Sequence, residues 1–193
     1  MDLLLATRNA HKTREFAELL GSAFRIGDLT SRDDLAAVEE TGRTFAENAT
    51  LKAVGVSEYV REVVVADDSG LEVDVLNGGP GVFSARYAGA KANDAQNVAK
   101  LLDELRGRTP ARARFRCALA VARAGELVRT VEGTIEGNVI NTPRGKNGFG
   151  YDPVFVPDGF SETFAELPLD VKNSVSHRAR AVAQLCEFLR TLS

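Results

Sequence analysis

The 193-residue sequence predicts an α/β fold built on a mixed β-sheet, and three observations carry that reading. Short β-branched or leucine-rich runs alternate with helical patterns over the first seventy residues, as expected of strands joined by crossover helices. Two long extended segments, 113–122 and 127–140, are joined by a Gly-Glu turn and read as a hairpin. Within the first of them, Arg112-Ala113-Arg114-Phe115-Arg116-Cys117 alternates charge and apolar side chain, the pattern of a half-exposed antiparallel strand.

In chain order, Leu3 to Ala6 forms the first strand and Thr7 to Lys12 leads into a helix with Phe16, Leu19 and Leu20 on one face, ended by Gly21. Phe24 to Leu29 is a second strand. Thr44 with Glu47 three residues on has capping-box spacing, and the helix behind it aligns Phe45, Ala49, Ala53, Val56 and Val60. Val63-Val64-Val65 is a buried strand, predicted to give way at Asp67-Asp68 to a Ser69-Gly70 turn. Gly78-Gly79-Pro80-Gly81 is a turn, a helix runs from about Asp94 to Leu105, and Asn141 to Asp152 is a glycine-rich loop. A last helix from about His177 aligns Val182, Leu185, Cys186 and Leu189.

The length fits one domain over residues 1–193, and 44% apolar with 26% charged residues is ordinary for a globular protein. A net charge of −3 gives no global basic footprint for nucleic acid. No apolar run approaches the ~20 residues that cross a bilayer, and the first residues lack a signal peptide's basic region. Cys117 and Cys186 read as buried thiols in a reducing compartment, so the expected location is the cytoplasm.

Five groups of residues can carry chemistry. Adjacent carboxylates at Asp67-Asp68 repel each other near a core unless a cation compensates, so they read either as a Mg²⁺ and phosphate site or as an Asx turn. Thr7 to Lys12 places a hydroxyl, an amide and a cation at a helix N-terminus, where free N–H groups bind anions; Asn9 is alternatively the N-cap. Glu39-Glu40 is either surface charge or a second acidic loop for Mg²⁺, which takes one or two carboxylates, waters and phosphate oxygens. Phe149-Gly150-Tyr151-Asp152 suits stacking on a nucleobase and accepting a ring N–H, or plugging the core. Lys172, His177 and Arg178 flank the start of the last helix, where cations oppose the helix dipole. Two histidines without metal-type spacing argue against zinc.

Taken in order, these blocks resemble the inosine triphosphate pyrophosphatase family, also called dITP/XTP pyrophosphatases. The matching segments are Leu5 to Lys12, Glu39 to Gly42, Phe45 to Ala49, Ala66 to Gly70, Pro80 to Tyr87, Gly148 to Pro153, and Lys172 with Ser176-His177-Arg178. The resemblance implies an elongated mixed β-sheet flanked by helices, with two lobes around a central nucleotide-binding cleft, and a homodimer. It implies hydrolysis of ITP, dITP and XTP to the monophosphate and pyrophosphate, with Mg²⁺ as cofactor and no nucleic-acid or membrane partner. Asp68 would be the general base and a metal ligand, with Glu40 the second metal carboxylate. Thr7, Asn9, Lys12 and Ser69 would hold the triphosphate, within a segment that includes Arg8, Ala10 and His11. Phe149, Gly150, Tyr151, Asp152, Lys172, His177 and Arg178 would surround the base.

Arg8 and His11 depart from a pattern that often has glycine at both places, and their side chains either touch phosphate or face solvent. Base selectivity follows from chemistry: Arg178 or Lys172 donating to a 6-oxo group, with Asp152 accepting from N1–H, would reject adenine. A donor facing position 2 would separate xanthine from guanine. The competing readings are a related nucleotide pyrophosphatase with another base preference and a nucleotide-binding protein without catalysis.

Overall fold

The computed structural model describes residues 1–191. β1 (Asp2–Leu5) runs parallel to β2 (Arg25–Asp28) on one side and to β3 (Val63–Val73) on the other, with Leu4 opposite Gly27 and Val64. The crossovers are α1 (Ala10–Leu20) and α2 (Phe45–Ser57). α3 (Asp94–Glu104) precedes the long strands β4 (Ala111–Arg123) and β5 (Glu126–Val139), and β6 (Phe155–Pro157) runs antiparallel to β5. The sheet order is β2-β1-β3-β4-β5-β6, a mixed α/β sheet. The chain closes with α4 (Leu169–Val175) and α5 (His177–Arg190).

Cα packing divides the chain into two compact units. The first holds Met1–Asp68, Cys117–Gly133 and the chain from Arg178. Its core joins Leu3 and Leu5 of β1, Phe16 and Leu20 of α1, Val65, Leu119, Val121, and Val182, Leu185 and Leu189 of α5. The predicted helical stripes are the faces that pack. Gly21 ends α1 at φ 65, a conformation glycine adopts without strain. Thr44 and Glu47 form the reciprocal capping box, and the helix behind it ends at Ser57, so Val60 lies beyond it. Cys117 is buried and Cys186 half-buried, both free thiols.

The second unit holds Ser69–Arg116 and Thr134–His177. Its core centres on aromatic rings: Phe115 meets Phe155 edge-on at 4.7 Å and stacks on Phe164 at 5.9 Å. The alternation along β4 resolves as predicted. Ala113 and Phe115 face the core, while Arg112 and Arg114 reach Asp158, Glu136 and Asp74 with bonds of 2.7–2.9 Å.

One expectation fails. Asp67-Asp68-Ser69-Gly70 is not a turn; β3 runs straight through it to Val73. β3 outruns β1, whose pairing ends at Leu5 opposite Val65, and continues as an extended strand to Val73. The polar side chains are tolerated in the strand because ionic partners meet them, as described below. Two short elements, β6 and α4, escape sequence patterning altogether.

Replacing the fully buried Phe155 with alanine removes the ring that packs against both Phe115 and Phe164. Denaturant unfolding should register a loss of about 3–5 kcal/mol. A loss below ~1 kcal/mol would show that the aromatic cluster does not organise this core.

Candidate active site

In the first unit, strand geometry decides what each aspartate does. Consecutive side chains on a strand point to opposite faces, and the partners of Asp67 and Asp68 separate accordingly. Asp67 is almost entirely buried and accepts from Arg178 Nε at 3.0 Å, from the Cys117 thiol at 3.2 Å and from the Lys12 ammonium. Arg178 also pairs with Glu15, which lies one turn after Lys12 on α1. Burial alone would raise the Asp67 pKa, but Arg178 and Lys12 outweigh it and hold the carboxyl well below the usual range.

Asp68 has a different setting. Its Oδ1 is 3.5 Å from the Lys52 ammonium, which also binds Glu40 Oε1 at 2.6 Å and the Asp67 carbonyl at 2.9 Å. Asp68 Oδ2 is buried and accepts no hydrogen bond. Burial pushes the Asp68 pKa up, Glu40 and Asp67 push the same way, and Lys52 and Lys12 only partly offset them. Lys52 is held in its charged form: burial works against the charge, and Asp68 and Glu40 restore it. Glu39, by contrast, is exposed.

The Thr7–Lys12 segment bears out the N-cap reading. Asn9 is the N-cap of α1, its side chain accepting from the His11 and Lys12 amides at 2.9 and 3.3 Å, and Thr7 Oγ1 accepts from the Asn9 amide at 3.1 Å. Lys12 reaches Asp67 from that capped start. Arg8 turns its guanidinium onto the Leu35 carbonyl at 2.7 Å and the Arg32 carbonyl at 3.3 Å, fastening the loop ahead of Glu40. Ala10 and His11 are exposed and Ser69 half-buried.

In the second unit, Asp152 and Lys172 form a buried pair, Nζ to Oδ2 at 2.7 Å, and the same oxygen accepts from the Phe149 amide at 3.0 Å. Lys172 also lies over the rings of Phe149 and Phe164 at 5.5 and 5.8 Å. The His177 ring stacks on Phe115 at 4.8 Å, nearly parallel. Tyr151 is buried with its hydroxyl donating to the Ser84 carbonyl at 2.8 Å, the core use of an aromatic, while Phe149 is half-buried. Arg178 is buried and pairs with Asp67 and Glu15.

Sequence reasoning missed Lys52, Glu15 and Cys117 as parts of the site. Lys52 was within reach. It lies three and four residues beyond Ala49 and Asn48, both fully buried, so α2 presents its stem on the packed side. The Cys117 thiol is pushed well up by burial and by Asp67, which makes it a hydrogen-bond donor and not a nucleophile.

Among the described residues, no group of three or more His, Cys, Asp or Glu side chains converges on a metal position. Two carboxylates do share one cation, Glu40 and Asp68 on Lys52, and Asp68 keeps one buried oxygen without a donor. That donor set fits Mg²⁺, which takes one or two carboxylates and completes its octahedron with water and phosphate oxygens.

Fold and side-chain chemistry together define a class: an α/β protein in which carboxylates and lysines cluster about the strand β3. The chain belongs to the Ham1 family, whose model matches residues 3–188. The dITP/XTP pyrophosphatase of Bacillus subtilis (strain 168) is 47% identical over 191 residues, covering 97% of this chain and 96% of the relative. That of Geobacillus kaustophilus is 50% identical over 192 residues, covering 96% and 93%. The Ham1 protein of Staphylococcus aureus superposes with a TM-score of 0.88 at 36% identity over the whole of both chains. A nucleoside-triphosphatase / dITP/XTP pyrophosphatase from Mycobacterium abscessus gives 0.77 at 44% identity, covering 96% and 98%.

The two aspartates should differ sharply when neutralised. Asp67→Asn leaves Arg178 and Lys12 short of a buried counter-charge and should cost about 3–5 kcal/mol in denaturant unfolding. Asp68→Asn replaces a carboxylate whose charge the fold already disfavours and should stay within about 1 kcal/mol of the parent. Equal losses would contradict the separation.

Proposed function

We propose that this chain is a nucleoside-triphosphate pyrophosphatase that cleaves ITP, dITP and XTP between the α- and β-phosphates, yielding the monophosphate and pyrophosphate. The observation that carries the reading is Asp68: a buried carboxylate of raised pKa beside two lysines, in a chain about half identical to dITP/XTP pyrophosphatases. A general base works best when its pKa approaches the operating pH, and burial moves Asp68 in that direction.

In this mechanism Asp68 orients a water in line with the α-phosphorus and takes its proton. Lys12, fixed by Asp67 at the start of α1, stabilises charge developing on the departing pyrophosphate. Thr7, Asn9 and Ser69 complete the triphosphate contacts. Lys52 keeps Glu40 and Asp68 together against their repulsion. Glu40 and Asp68 would also hold Mg²⁺, which when bound neutralises charge on the phosphate oxygens.

Phe149, Asp152, Lys172 and His177 take the purine, with Arg178 held in a fixed orientation by Asp67 and Glu15. A buried lysine–carboxylate pair such as Lys172–Asp152 complements the acceptor O6 and donor N1–H of hypoxanthine and xanthine. Adenine reverses that pattern, and such mismatches are rejected by ~10⁴-fold or more. The reading includes a cytoplasmic homodimer. Two free thiols support the compartment, and Leu127 and Val128, exposed apolar residues of β5, support the dimer.

A Mg²⁺-dependent panel of ITP, dITP, XTP, GTP and ATP with pyrophosphate detection tests this. The three deaminated substrates should lead in kcat/KM, and ATP should trail ITP by ~10⁴. Asp68→Asn should lower kcat by ~10²–10⁴ with Mg²⁺ saturating. Orthophosphate as the first product, or near-parental turnover by that variant, would refute the reading.

A further inference from the structure

Phe149 sits in a segment with little structure of its own. It is flanked by two glycines in the left-handed region, Gly148 at φ 73 and Gly150 at φ 62. A Cβ at Gly148 would overlap the Asp152 carboxylate, so that glycine is required by a close approach. Most fastenings of the segment are local or face the core: the Phe149 amide on Asp152, and the Tyr151 hydroxyl on the Ser84 carbonyl. One is neither. The Gly150 amide donates to Asp94 Oδ2 at 2.7 Å, across 56 residues of sequence.

Asp94 is the first residue of α3, but that helix start is already closed by another pair. Asn93 caps it, accepting from the Gln96 amide at 2.9 Å, while Gln96 Oε1 accepts from the Asn93 amide at the same distance. The Asp94 carboxylate is therefore turned outward onto the loop. One turn later, Asn97 accepts from the Ala88 amide at 2.8 Å and donates to the Ala85 carbonyl at 3.2 Å, anchoring the start of α3 from beneath. A rigid helix terminus thus holds the peptide immediately after Phe149.

We propose that Asp94 is a positioning residue for purine recognition: its carboxylate latches the Gly150 amide and so fixes the plane in which Phe149 is presented. The proposal rests on the reading that Phe149 stacks on the base. Asp94 acts through the backbone, not on the substrate. A short hydrogen bond to an ionised acceptor is stronger than a neutral one, although the exposed setting of Asp94 screens it. Releasing the latch leaves the Asp68 cluster untouched, so the cost falls on base binding and selectivity.

Three variants of the full chain separate the latch from the helix start: Asp94→Ala, Asp94→Asn and Gln96→Ala. Hydrogen exchange over residues 147–152 reports the loop directly, and steady-state kinetics with ITP and ATP report its use. Asp94→Ala should speed exchange in that segment, raise KM for ITP ~10-fold and narrow the ITP/ATP ratio of kcat/KM. Its kcat should stay within about twofold of the parent. Asp94→Asn keeps an oxygen for the amide and should behave like the parent. Gln96→Ala weakens the cap but should leave loop exchange and KM alone. Unchanged exchange in Asp94→Ala, an unchanged KM despite faster exchange, or the same KM shift in Gln96→Ala would overturn the proposal. A parent chain that releases no pyrophosphate from ITP would refute the function proposed above, and the exchange measurement would still decide the latch.

Discussion

A carboxylate taken wholly out of water loses hydration worth several kcal/mol, and only opposite charge and hydrogen bonds can replace it. Asp67 meets that demand with Lys12 from α1, the Cys117 thiol from β4 and Arg178 from α5. Glu15 then returns the chain of charges to α1. Three elements distant in sequence are thereby tied to one atom group on the central strand β3. The arrangement is directional as well as stabilising. Apolar residues of the same volume could fill the space, but they would not hold a lysine ammonium at a set point at the start of a helix.

The consequence falls on the next residue. Because a strand turns consecutive side chains to opposite faces, the side-chain partners differ: Arg178 and Lys12 pair with Asp67, while Lys52 pairs with Asp68 and Lys12 acts on it only through its field. Asp68 shares Lys52 with Glu40 and keeps an oxygen without a donor. Two identical side chains, adjacent in sequence, are thus driven in opposite directions, one locked in its ionised form and the other made more basic. A site that must hold a cation steady and also accept a proton needs that division. Here it follows from a backbone periodicity of two and an unequal distribution of lysines and arginine.

Much of this was legible in the sequence because local chemistry dictated it. The Thr44–Glu47 capping box, the Gly21 stop, the arginine alternation of β4 and the α1 and α5 stripes all depend on neighbours within a turn or a strand pair. The reading of Asp-Asp-Ser-Gly as a turn went wrong for a definable reason. Turn propensity assumes that nothing distant compensates the acids, whereas Arg178 lies 111 residues away. The counter-charges of Arg178, Asp67 and Glu15, lie too far off in sequence for local pattern to reveal them. Lys52 was overlooked because a lysine in an amphipathic helix ordinarily faces water. Its i−3 and i−4 neighbours, both small or polar and both buried, were the available signal.

Side-chain carboxyl ¹³C titration of Asp67 and Asp68 in the metal-free protein tests the division most directly. Asp68 should titrate above the ordinary aspartate value of 3.8, and Asp67 should remain ionised well below it. Two superimposable curves centred on the ordinary value would contradict it, because the neighbouring carboxylates would then share one environment.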